Sequence, residues 1–589
     1  MPPETRTCQN CKQSFVIEPD DFAFYEKIKV PPPTFCPECR AVRRRAWRNE
    51  RTLYHRKCDL CKKEIISMFP ASAPFPVYCN ECWYSDGWDP LVYGRSYDFG
   101  KPFFAQYKAL QDSVPRMGLA VINNKNSPYL NYAWNSNNSY MCLDLGYGEN
   151  CLYSNACHFI KDSSDNSYCK KIELCHGCID SRESTRSDTL EKCEGCIDSH
   201  FLYDCRGCSS CILCAGLRNK KYHILNQPYS KEDYEKAKSE YAGGSFAKRE
   251  RAKKLFEELK LKALHKENNN IQAVRCTGDN IWNCENCRQS FNVFRSQNCK
   301  RVNDVDSDVK DSVDLSNAAE GELMYEGTSA SGSNVRFSVW VTSVVDVQYS
   351  SLCVKNNSHL FGCIALRDKS NCILNKQYSE EEYQAMIPKI IEHMNAMPYV
   401  DKKGRVYRYG EFFPIELSTF PYNDSKSYEF NPLTKEQIMA EGYGWRDPEE
   451  RHYAPTKTDK DLPDHIKDVV DSLLNDVIAC SHGGTCTHQC ATAFKIIPEE
   501  LRFYRAMNLP LPRLCANCRY YERTAHRNPM KLWHRGCTCV GAQSANGVHK
   551  NTVSHPHGAS ACPIEFETSY APDRPEIVYC EACYNAEVV

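Results

Sequence analysis

The pentapeptide Gly177-Cys-Ile-Asp-Ser181 recurs without change as Gly195-Cys-Ile-Asp-Ser199, 18 positions further along the chain. The same spacing links three columns of residues between Cys142 and Cys214. The columns are Cys157, Cys175, Cys193 and Cys211; Cys142, Ile160, Cys178, Cys196 and Cys214; and Asp144, Asp162, Asp180 and Asp198. A residue type kept at constant spacing is typical of a solenoid, because each coil stacks that position on its predecessor. Coils of this length, with Asn, Ser, Asp and Gly at their turns, favour a right-handed β-helix over a helical repeat.

The cysteine columns have two interpretations. The first is an inward ladder of small apolar side chains, since a free cysteine is buried like a small hydrophobic residue. The second is metal binding by stacked CxxC pairs from neighbouring coils. Those pairs are Cys175, Cys178, Cys193 and Cys196. The aspartate column is expected to cap turns through hydrogen bonds to the backbone, with calcium binding as the alternative.

A second duplication, with an offset of 149 positions, extends this architecture. Leu217-Arg-Asn-Lys220 returns as Leu366-Arg-Asp-Lys369, and a capping box opens a helix after each copy, at Ser230 and at Ser379. The sequence therefore predicts a mainly β fold with some α, in which two β-solenoid units end in helical caps. The predicted segments are a first β-solenoid unit at 115–228, a helical arm at 229–270, a second β-solenoid unit at 271–378, a helix at 379–400 and an irregular segment rich in aromatic residues and proline at 401–460.

A cysteine framework near the N-terminus recurs 479 positions later, near the C-terminus. Each copy supplies eight cysteines, mostly in CxxC pairs, and two such pairs can supply the four thiolates of a tetrahedral Zn²⁺. The predicted ligands are Cys8, Cys11, Cys36, Cys39, Cys58, Cys61, Cys79, Cys82, Cys486, Cys490, Cys515, Cys518, Cys537, Cys539, Cys580 and Cys583. The predicted modules, which flank the solenoid centre, are zinc ribbons at 1–57, 58–100, 461–530 (after a helix at Asp461–Ile478) and 531–589.

The two C-terminal sites leave alternatives open. One contains Cys486-x3-Cys490 in place of a CxxC pair, and the other contains the tight pair Cys537-x-Cys539 followed by a long insertion. The alternative ligands are His482, His488 or Cys480 for the first and His555, His557 or Cys562 for the second. All four predicted ligand sets are closed, with no position for substrate or water, and this favours about four structural zinc ions.

The N-terminal module carries a family resemblance. A CxxC pair, a Phe, a Phe-Tyr pair and a closing Cys-Pro-x-Cys-Arg resemble the zinc-ribbon (treble-clef-like) family, which implies structural zinc. The matching residues are Cys8, Cys11, Phe15, Phe24, Tyr25, Pro32, Cys36, Pro37, Cys39 and Arg40. The resemblance covers only a short segment at each end, and the C-terminal copy has Ala516 in place of the proline. The layout of the whole chain also resembles that of large uncharacterised bacterial multi-zinc-ribbon proteins, and this carries over no functional residue.

Basic and aromatic residues follow the first and the third predicted zinc site. They are Arg40, Arg43, Arg44, Arg45, Trp47, Arg48, Arg519, Arg523 and Arg527. Guanidinium groups bind phosphate through two hydrogen bonds and aromatic rings stack on unpaired bases. These residues therefore predict contact with RNA, single-stranded nucleic acid or a ribonucleoprotein. The alternative is that the arginines pair with acidic residues elsewhere in the chain.

Composition limits the remaining classes of function. A net charge of −1 over 589 residues gives no global field that attracts nucleic acid. No apolar run approaches the roughly 20 residues that cross a bilayer, and the N-terminus lacks a signal-peptide core. We therefore expect a cytoplasmic protein without a membrane partner. Its 37 cysteines are then expected to be metal ligands or buried thiols rather than disulfides.

No recognised catalytic motif occurs in the sequence. The sequence thus favours a non-enzymatic, zinc-stabilised scaffold that binds RNA or a ribonucleoprotein through the basic helices. One alternative is a scaffold without nucleic acid, whose protein partners bind along the solenoid face. A second alternative is an enzyme with a site on a β-helix face.

Overall fold

The computed structural model describes residues 2–447 and 453–588 and is mostly β-sheet with some helices. It divides into two compact units, each built from two separate stretches of chain. Unit 1 consists of Met1–Leu119 and Asn270–Asp447, and unit 2 consists of Ala120–Asn269 and Pro448–Val589. Among the helices within the described ranges, none combines the length and the apolar character that a membrane span requires.

The first stretch of unit 1 contains two short hairpins, each followed by helix. Its elements are β1 (Glu4–Thr7), β2 (Ser14–Ile17), α1 (Pro19–Lys27), α2 (Pro37–Arg45), β3 (Tyr54–Lys57), β4 (Glu64–Ser67), β5 (Val77–Tyr78), α3 (Asn80–Tyr84), a 3-10 turn (Pro90–Tyr93), α4 (Phe103–Gln111) and β6 (Arg116–Met117). Helices α1 and α2 both begin with proline, whose fixed φ and missing N–H suit the first helical position. Strands β1 and β2 pair antiparallel, as do β3 and β4, so each hairpin presents its turn next to a helix start.

The first stretch of unit 2 is a parallel ladder followed by two helices. Its elements are β7 (Val121–Ile122), β8 (Ala133–Trp134), β9 (Leu143–Gly146), β10 (Asn155–His158), β11 (Glu173–His176), β12 (Thr185–Glu191), β13 (His200–Tyr203), β14 (Ser209–Ala215), β15 (Lys221–Ile224), β16 (Gln227–Pro228), α5 (Lys231–Tyr241), α6 (Phe246–Lys262) and β17 (Leu264–Lys266). We call Val121–Ile224 the unit 2 ladder. Ser230 caps α5, as the sequence predicts, by accepting a hydrogen bond from Asp233 N–H over 3.1 Å.

The unit 2 ladder pairs at an offset of 12, not at the 18 of the sequence columns. Leu143 pairs with Asn155, and Glu173 pairs with Thr185. Every third residue from Asn123 to Leu225 has a positive φ. The residue after each of these positions supplies the interior, and Cys142, Leu145 and Cys151 are all fully buried there. A repeating triplet therefore underlies the ladder.

The triplet explains why the spacing of the sequence columns differs from the pairing offset. The column spacing of 18 residues corresponds to six triplets, whereas the pairing offset of 12 residues corresponds to four triplets. Successive members of a column are therefore displaced by two triplets within the ladder, so they alternate between opposite positions. The aspartate column lies at positive-φ positions, with Asp144 at 53° and Asp180 at 47°. Asp and Asn tolerate this left-handed conformation better than most residues, and this accounts for the column without calcium.

The second stretch of unit 1 contains another parallel ladder, Ile271–Ile373, which we call the unit 1 ladder. Its elements and those that follow are β18 (Ile271–Val274), β19 (Gly278–Glu285), β20 (Ser290–Phe294), β21 (Lys300–Val305), β22 (Val309–Lys310), β23 (Val313–Ser316), β24 (Gly321–Glu322), β25 (Tyr325–Arg336), β26 (Val339–Gln348), β27 (Asn357–Phe361), β28 (Ser370–Ile373), β29 (Lys376–Gln377), α7 (Glu380–Ala396), β30 (Tyr399–Val400), β31 (Val406–Tyr407), α8 (Lys426–Phe430) and α9 (Lys435–Ala440), with 3-10 turns at Ile415–Leu417 and Tyr422–Asp424. Most strands of this ladder pair at an offset of 12. Strands β21 and β23 pair at an offset of 13, as in Lys300 with Val313, and β18 and β19 pair at an offset of 11. These irregularities explain why the sequence periodicity is faint here.

Unit 1 buries two apolar cores. One lies inside the ladder and is built from Val, Leu and Cys. The other is aromatic and joins the outside of the ladder to the N-terminal stretch and to the segment after α7. Within it, Phe103 contacts Tyr349 and Phe361 at ring-centroid distances of 5.2 and 5.3 Å. The N-terminal cysteine modules therefore pack on the unit 1 ladder, which belongs to the later stretch of the same unit.

The second stretch of unit 2 contains the C-terminal cysteine modules. Its elements are 3-10 turns at Asp459–Asp461, Ile466–Asp468 and Asp471–Asn475, then β32 (Ile478–Ala479), β33 (Ala493–Phe494), α10 (Pro498–Met507), α11 (Ala516–Ala525), β34 (Trp533–Gly536), β35 (Glu565–Thr568), β36 (Ile577–Tyr579) and α12 (Glu581–Val588). The α-helix predicted over Asp461–Ile478 is absent from this described segment. Leu462, Ile466, Val469 and Leu473 are buried, whereas Val470 is exposed. Arg513 donates to the carbonyls of Leu462 and Pro463, which a helix would have used.

Candidate metal centres

The first cysteine cluster lies between the β1–β2 turn and the start of α2. The sulfur atoms of Cys8, Cys11, Cys36 and Cys39 lie within 4.8 Å of one another. Cys36 is the N-cap of α2, and its backbone N–H donates to the Cys8 sulfur over 3.3 Å. Hydrogen bonds from Cys36 hold the pKa of the Cys8 thiol far below its ordinary value. Four sulfurs at a helix N-terminus form a set that can bind a metal as thiolates.

The second cluster repeats this construction between the β3–β4 turn and α3. Cys58, Cys61, Cys79 and Cys82 offer four sulfurs within 4.8 Å. Cys79 is the N-cap of α3, and its N–H donates to the Cys58 sulfur over 3.2 Å. Burial would raise the pKa of the Cys58 thiol, but backbone hydrogen bonds from Cys61 and Cys79 lower this pKa to about 7. All eight N-terminal cysteines therefore meet in the two groups that their spacing indicates.

The third cluster differs from the predicted ligand set. The structure groups Cys490, Cys515 and Cys518 with Cys480, whereas the sequence analysis placed Cys486 there. Cys480 directly follows β32, as Cys8 directly follows β1. The N–H of Cys515, the N-cap of α11, donates to the Cys480 sulfur over 3.3 Å, matching the first cluster. A nine-residue insertion between Cys480 and Cys490 hides this equivalence in the sequence.

A further group overlaps the third cluster. His482, Cys486 and His488, all from the insertion, lie with Cys518 so that one ligand atom from each falls within 4.8 Å of the others. From the sequence, the two histidines are alternative ligands of the third site. In the structure they lie beside a complete set of four cysteines, in a second group that shares Cys518.

The fourth cluster also contains a different cysteine from the one predicted. Cys562 joins Cys537, Cys580 and Cys583, whereas the sequence analysis placed Cys539 there. The Cys539 sulfur instead lies 3.5 Å from Nδ1 of His555. Cys539 follows Cys537 by only two positions, so it precedes the hairpin position that lies three residues before β35. The chain reaches that position only after a long insertion, which ends at Cys562.

One local rule describes all four clusters. One cysteine directly follows the first strand of a hairpin, one lies three residues before the second strand, one immediately precedes a helix and one lies three residues further on, in its first turn. The cysteines that lie three residues before the second strand are Cys11, Cys61, Cys490 and Cys562. These second strands begin at Ser14, Glu64, Ala493 and Glu565. The number of residues between the first two cysteines is 2, 2, 9 and 24 in the four clusters, so the turn length is free to vary.

The arginines beside the first cluster point into unit 1. Arg40, Arg43 and Arg44 are each 1% exposed. The Arg40 guanidinium donates to Asp314 over 2.7 Å, and Arg43 forms ion pairs of 2.9 Å with Glu326 and 2.8 Å with Glu411. Both Asp314 and Glu326 belong to the unit 1 ladder, so the basic face of α2 is the face that docks on the ladder.

The remaining N-terminal residues of the predicted nucleic-acid set are buried as well. The Trp47 ring packs on Phe413 at a centroid distance of 4.9 Å, and the Arg45 guanidinium lies over Phe430 at 4.6 Å. Arg48 pairs with Glu50 and donates to Ser329 Oγ over 2.5 Å. None of these side chains is more than 8% exposed.

The C-terminal arginines dock α11 on the unit 2 ladder in the same way. Arg519 and Arg523 donate to Asp165 over 3.1 and 2.6 Å, and Arg527 pairs with Asp180 over 3.0 Å. Their side chains are about one-tenth exposed. All nine residues predicted to contact nucleic acid are therefore engaged inside the units, and Arg40, Arg43, Arg48, Arg519, Arg523 and Arg527 contact a ladder directly.

The two docking contacts are equivalent, residue by residue. Arg40 and Arg519 are 479 apart, and their partners Asp314 and Asp165 are 149 apart. The same two offsets relate the contact of Arg48 with Ser329 to that of Arg527 with Asp180. They also relate the ring contact of Tyr25 with Tyr325 to that of Tyr504 with His176. Sequence reasoning found both offsets but missed these acidic partners, although Asp165 and Asp314 are separated by the offset of the second duplication.

The cysteines inside the unit 2 ladder form part of its core. Cys175, Cys178, Cys193 and Cys196 are at most 1% exposed. The Cys193 sulfhydryl donates to the Glu191 carbonyl over 3.3 Å. Burial raises the pKa of the Cys178 and Cys193 thiols well above their ordinary value. The Cys178 and Cys196 sulfhydryls also donate to backbone carbonyls, those of His176 and Glu194, each over 3.6 Å. These contacts with the chain's own backbone favour the inward ladder over the metal interpretation.

Comparison with protein-family models found no match, and comparison with curated proteins found no significant match.

Proposed function

We propose that the protein is a non-enzymatic, zinc-stabilised scaffold that binds protein partners. In this proposal each unit is a β-solenoid, with a coil of four triplets, braced by a pair of zinc modules of the zinc-ribbon type. The observation that carries it is the duplicated docking contact. Arg40 with Asp314 in unit 1 and Arg519 with Asp165 in unit 2 use the basic residues to attach module to ladder.

The β-solenoid assignment is supported by the pairing register. Parallel bridges at an offset of 12 continue from Val121 to Ile224 across strands and the turns between them. Four residue triplets per offset, each with one inward side chain, give a coil with four short sides. Stacked coils of this kind bury a continuous interior that a single repeat could not form.

The zinc assignment is supported by the donor chemistry. Each of four clusters brings four cysteine sulfurs together, and zinc is the metal that takes four thiolates in a closed tetrahedral site in structural modules. A closed set leaves no ligand position for a substrate, so the metal would supply folding free energy rather than chemistry.

An exposed row on the unit 2 ladder supports protein binding. Tyr147 and Phe159, one pairing offset apart, are each 49% exposed, and their rings stack at a centroid distance of 4.7 Å. Rigid, exposed aromatic pairs suit protein recognition because they offer apolar area at a low cost in conformational entropy.

The test is to isolate the tagged full-length protein from its own cells and compare it with Tyr147→Glu/Phe159→Glu. We expect protein partners that survive ribonuclease treatment and are lost from this variant. They should be kept by the control Val274→Glu, which changes another exposed apolar residue. If binding to single-stranded RNA is saturable and weakens steeply with salt, the RNA-binding scaffold is correct instead.

A further inference from the structure

We propose that the module around Cys518 holds two zinc-class metal ions, bridged by the Cys518 thiolate. One ion would bind Cys480, Cys490, Cys515 and Cys518. The other would bind His482, Cys486, His488 and the same Cys518 sulfur. The proposal rests on the assignment of the cysteine clusters as zinc sites and adds a second ion to one of them.

The number of donors fits a bridged pair. Two tetrahedral ions have eight ligand positions, and one shared ligand reduces the donors required to seven. The two overlapping groups contain seven different side chains, of which five are cysteines and two are histidines. With five thiolates and two neutral imidazoles, two divalent ions leave a net charge of 4 − 5 = −1. A single ion on four thiolates leaves 2 − 4 = −2, so the second ion also relieves repulsion among the sulfurs.

The sulfur positions fit the bridge. The Cys518 sulfur lies 3.8 Å from that of Cys480 and 3.7 Å from that of Cys486, so it faces both groups. Two sulfurs bound to one tetrahedral zinc at about 2.3 Å are separated by about 3.8 Å. Cys518 is itself fully buried, which keeps this shared sulfur away from water.

The two histidines are oriented as ligands. The Nδ1 atoms of His482 and His488 are buried and have no hydrogen-bond partner among the described residues. The other ring nitrogen of His482 lies 3.7 Å from a Glu522 carboxylate oxygen. This distance is too long for a hydrogen bond, but the carboxylate lies on the side of the ring where metal-bound histidines have their outer partner. The His488 ring stacks on Tyr521 at 5.5 Å, which fixes its plane.

The insertion explains where the extra donors of this module come from. In the first cluster two residues separate Cys8 from Cys11, whereas nine separate Cys480 from Cys490. Those nine residues supply His482, Cys486 and His488, and the rest of the module keeps the common construction. A longer turn could have been polar and solvated, but here it folds three metal-binding side chains over the existing cluster.

The first test counts ions in the intact full-length protein by native mass spectrometry. We expect His482→Ala/His488→Ala to carry one zinc fewer than the wild type. The control His534→Ala, an exposed histidine outside both groups, should keep the wild-type number. An unchanged number in the double variant would overturn the second site.

The second test detects the bridging sulfur by cadmium nuclear magnetic resonance, in wild-type protein whose metal has been replaced with the spin-half cadmium isotope. We expect two cadmium resonances from this module that are coupled to each other through the shared sulfur. If no resonance shows such coupling, the bridge is wrong. This result also decides the case if the double variant loses two ions because the module unfolds.

The underlying zinc assignment is tested separately at the first cluster. Cys11→Ser should lose one zinc by the same measurement, because this cysteine belongs to a group that shares no ligand with the proposed pair. If Cys11→Ser keeps the wild-type number, the zinc assignment fails at that cluster. If Cys11→Ser loses one ion and the double histidine variant loses none, only the bridged pair fails.

Discussion

At the scale of single residues, the buried ion pairs decide what the arginines do. Asp314 is fully buried and faces Arg40, Arg44 and Arg301. Burial alone would raise the pKa of its carboxyl, but these guanidinium groups hold that pKa well below its ordinary range. The carboxylate is therefore charged at neutral pH and acts as the counter-ion of several arginines.

Asp314→Asn should destabilise unit 1 strongly. The substitution leaves buried guanidinium groups without a counter-charge, and breaking a buried pair in this way typically costs about 3–5 kcal/mol. Urea unfolding followed by circular dichroism measures the change. Asp311→Asn is the matched control, because Asp311 pairs with Lys27 at the surface, where a pair contributes about 0–1 kcal/mol. Equal effects of the two substitutions would contradict the docking role of Asp314.

His526 should give unit 2 a pH-dependent contribution to stability. A hydrogen bond to Glu191 raises the pKa of His526 above its ordinary value, while burial opposes this. A raised folded-state pKa means that the stabilisation is fully present below about pH 6.5, the unfolded pKa, and is lost as pH rises through the folded one. The difference in urea midpoint between wild type and His526→Gln should therefore shrink from pH 6 to pH 8. A constant difference would contradict the pairing.

The cysteine clusters show how far residue spacing predicts a candidate metal site. The N-terminal cysteines meet as their spacing indicates because only two residues separate the members of each turn pair. At the C-terminus the two hairpin cysteines lie much further apart in the chain, and the nearest cysteine in sequence is then the wrong one. The sequence leaves Cys480 and Cys562 open as alternatives. Choosing them requires knowledge of the strands on either side, because the hairpin fixes the position of the sulfur and the turn length does not.

At the scale of elements, the ladders are built from residue triplets, which the sequence columns do not reveal. The chain repeats cysteine and aspartate at a spacing of 18, but backbone pairing recurs at an offset of 12, and the triplet divides both. Sequence columns report which side chains point inward, and this part of the prediction needs no knowledge of the pairing offset. The pairing offset depends on the backbone torsions, which no side-chain column reveals.

Substitutions inside the unit 2 ladder should depend on volume more than on polarity. Serines at inward positions donate to the carbonyl two residues before them, as Ser181 does to Ile179, and Cys193 makes the same contact with Glu191. Cys193→Ser keeps this partner and should cost less than about 1 kcal/mol. Cys193→Leu overfills the interior and should cost about 1–3 kcal/mol. The urea midpoints of both variants measure this, and a larger loss for serine would contradict the model of a tightly filled coil interior.

At the scale of the whole molecule, sequence order and spatial order differ. Each unit combines a pair of cysteine modules with the ladder that is not adjacent to it in the sequence. Sequence order alone predicts modules that flank a solenoid centre, and it does not indicate which ladder each pair of modules contacts. The two duplication offsets contained the necessary information, since the equivalent contacts obey both, but pairing a module with a ladder requires knowing which surfaces meet.

Fragments that respect the units should fold, and others should not. Residues 1–447 contain all of unit 1, and residues 120–589 contain all of unit 2. We expect each fragment to show a cooperative urea transition. Residues 1–269 contain two modules and one ladder but neither complete unit, and should lack such a transition. Cooperative unfolding of residues 1–269 would show that modules and ladders do not depend on each other as described.

The exchanged arrangement of modules and ladders also delays the formation of the docking contacts during synthesis. Asp314 leaves the ribosome 274 residues after Arg40, a delay of about 14–55 s at ~5–20 residues per second. In the other unit the order is reversed, and Asp165 precedes Arg519 by 354 residues, or about 18–71 s. During synthesis of unit 1, Arg40 is therefore present without its partner Asp314. During synthesis of unit 2, Asp165 is present without its partner Arg519. A chaperone that shields unpaired charge during translation would therefore have to bind a positive charge at Arg40 and a negative charge at Asp165.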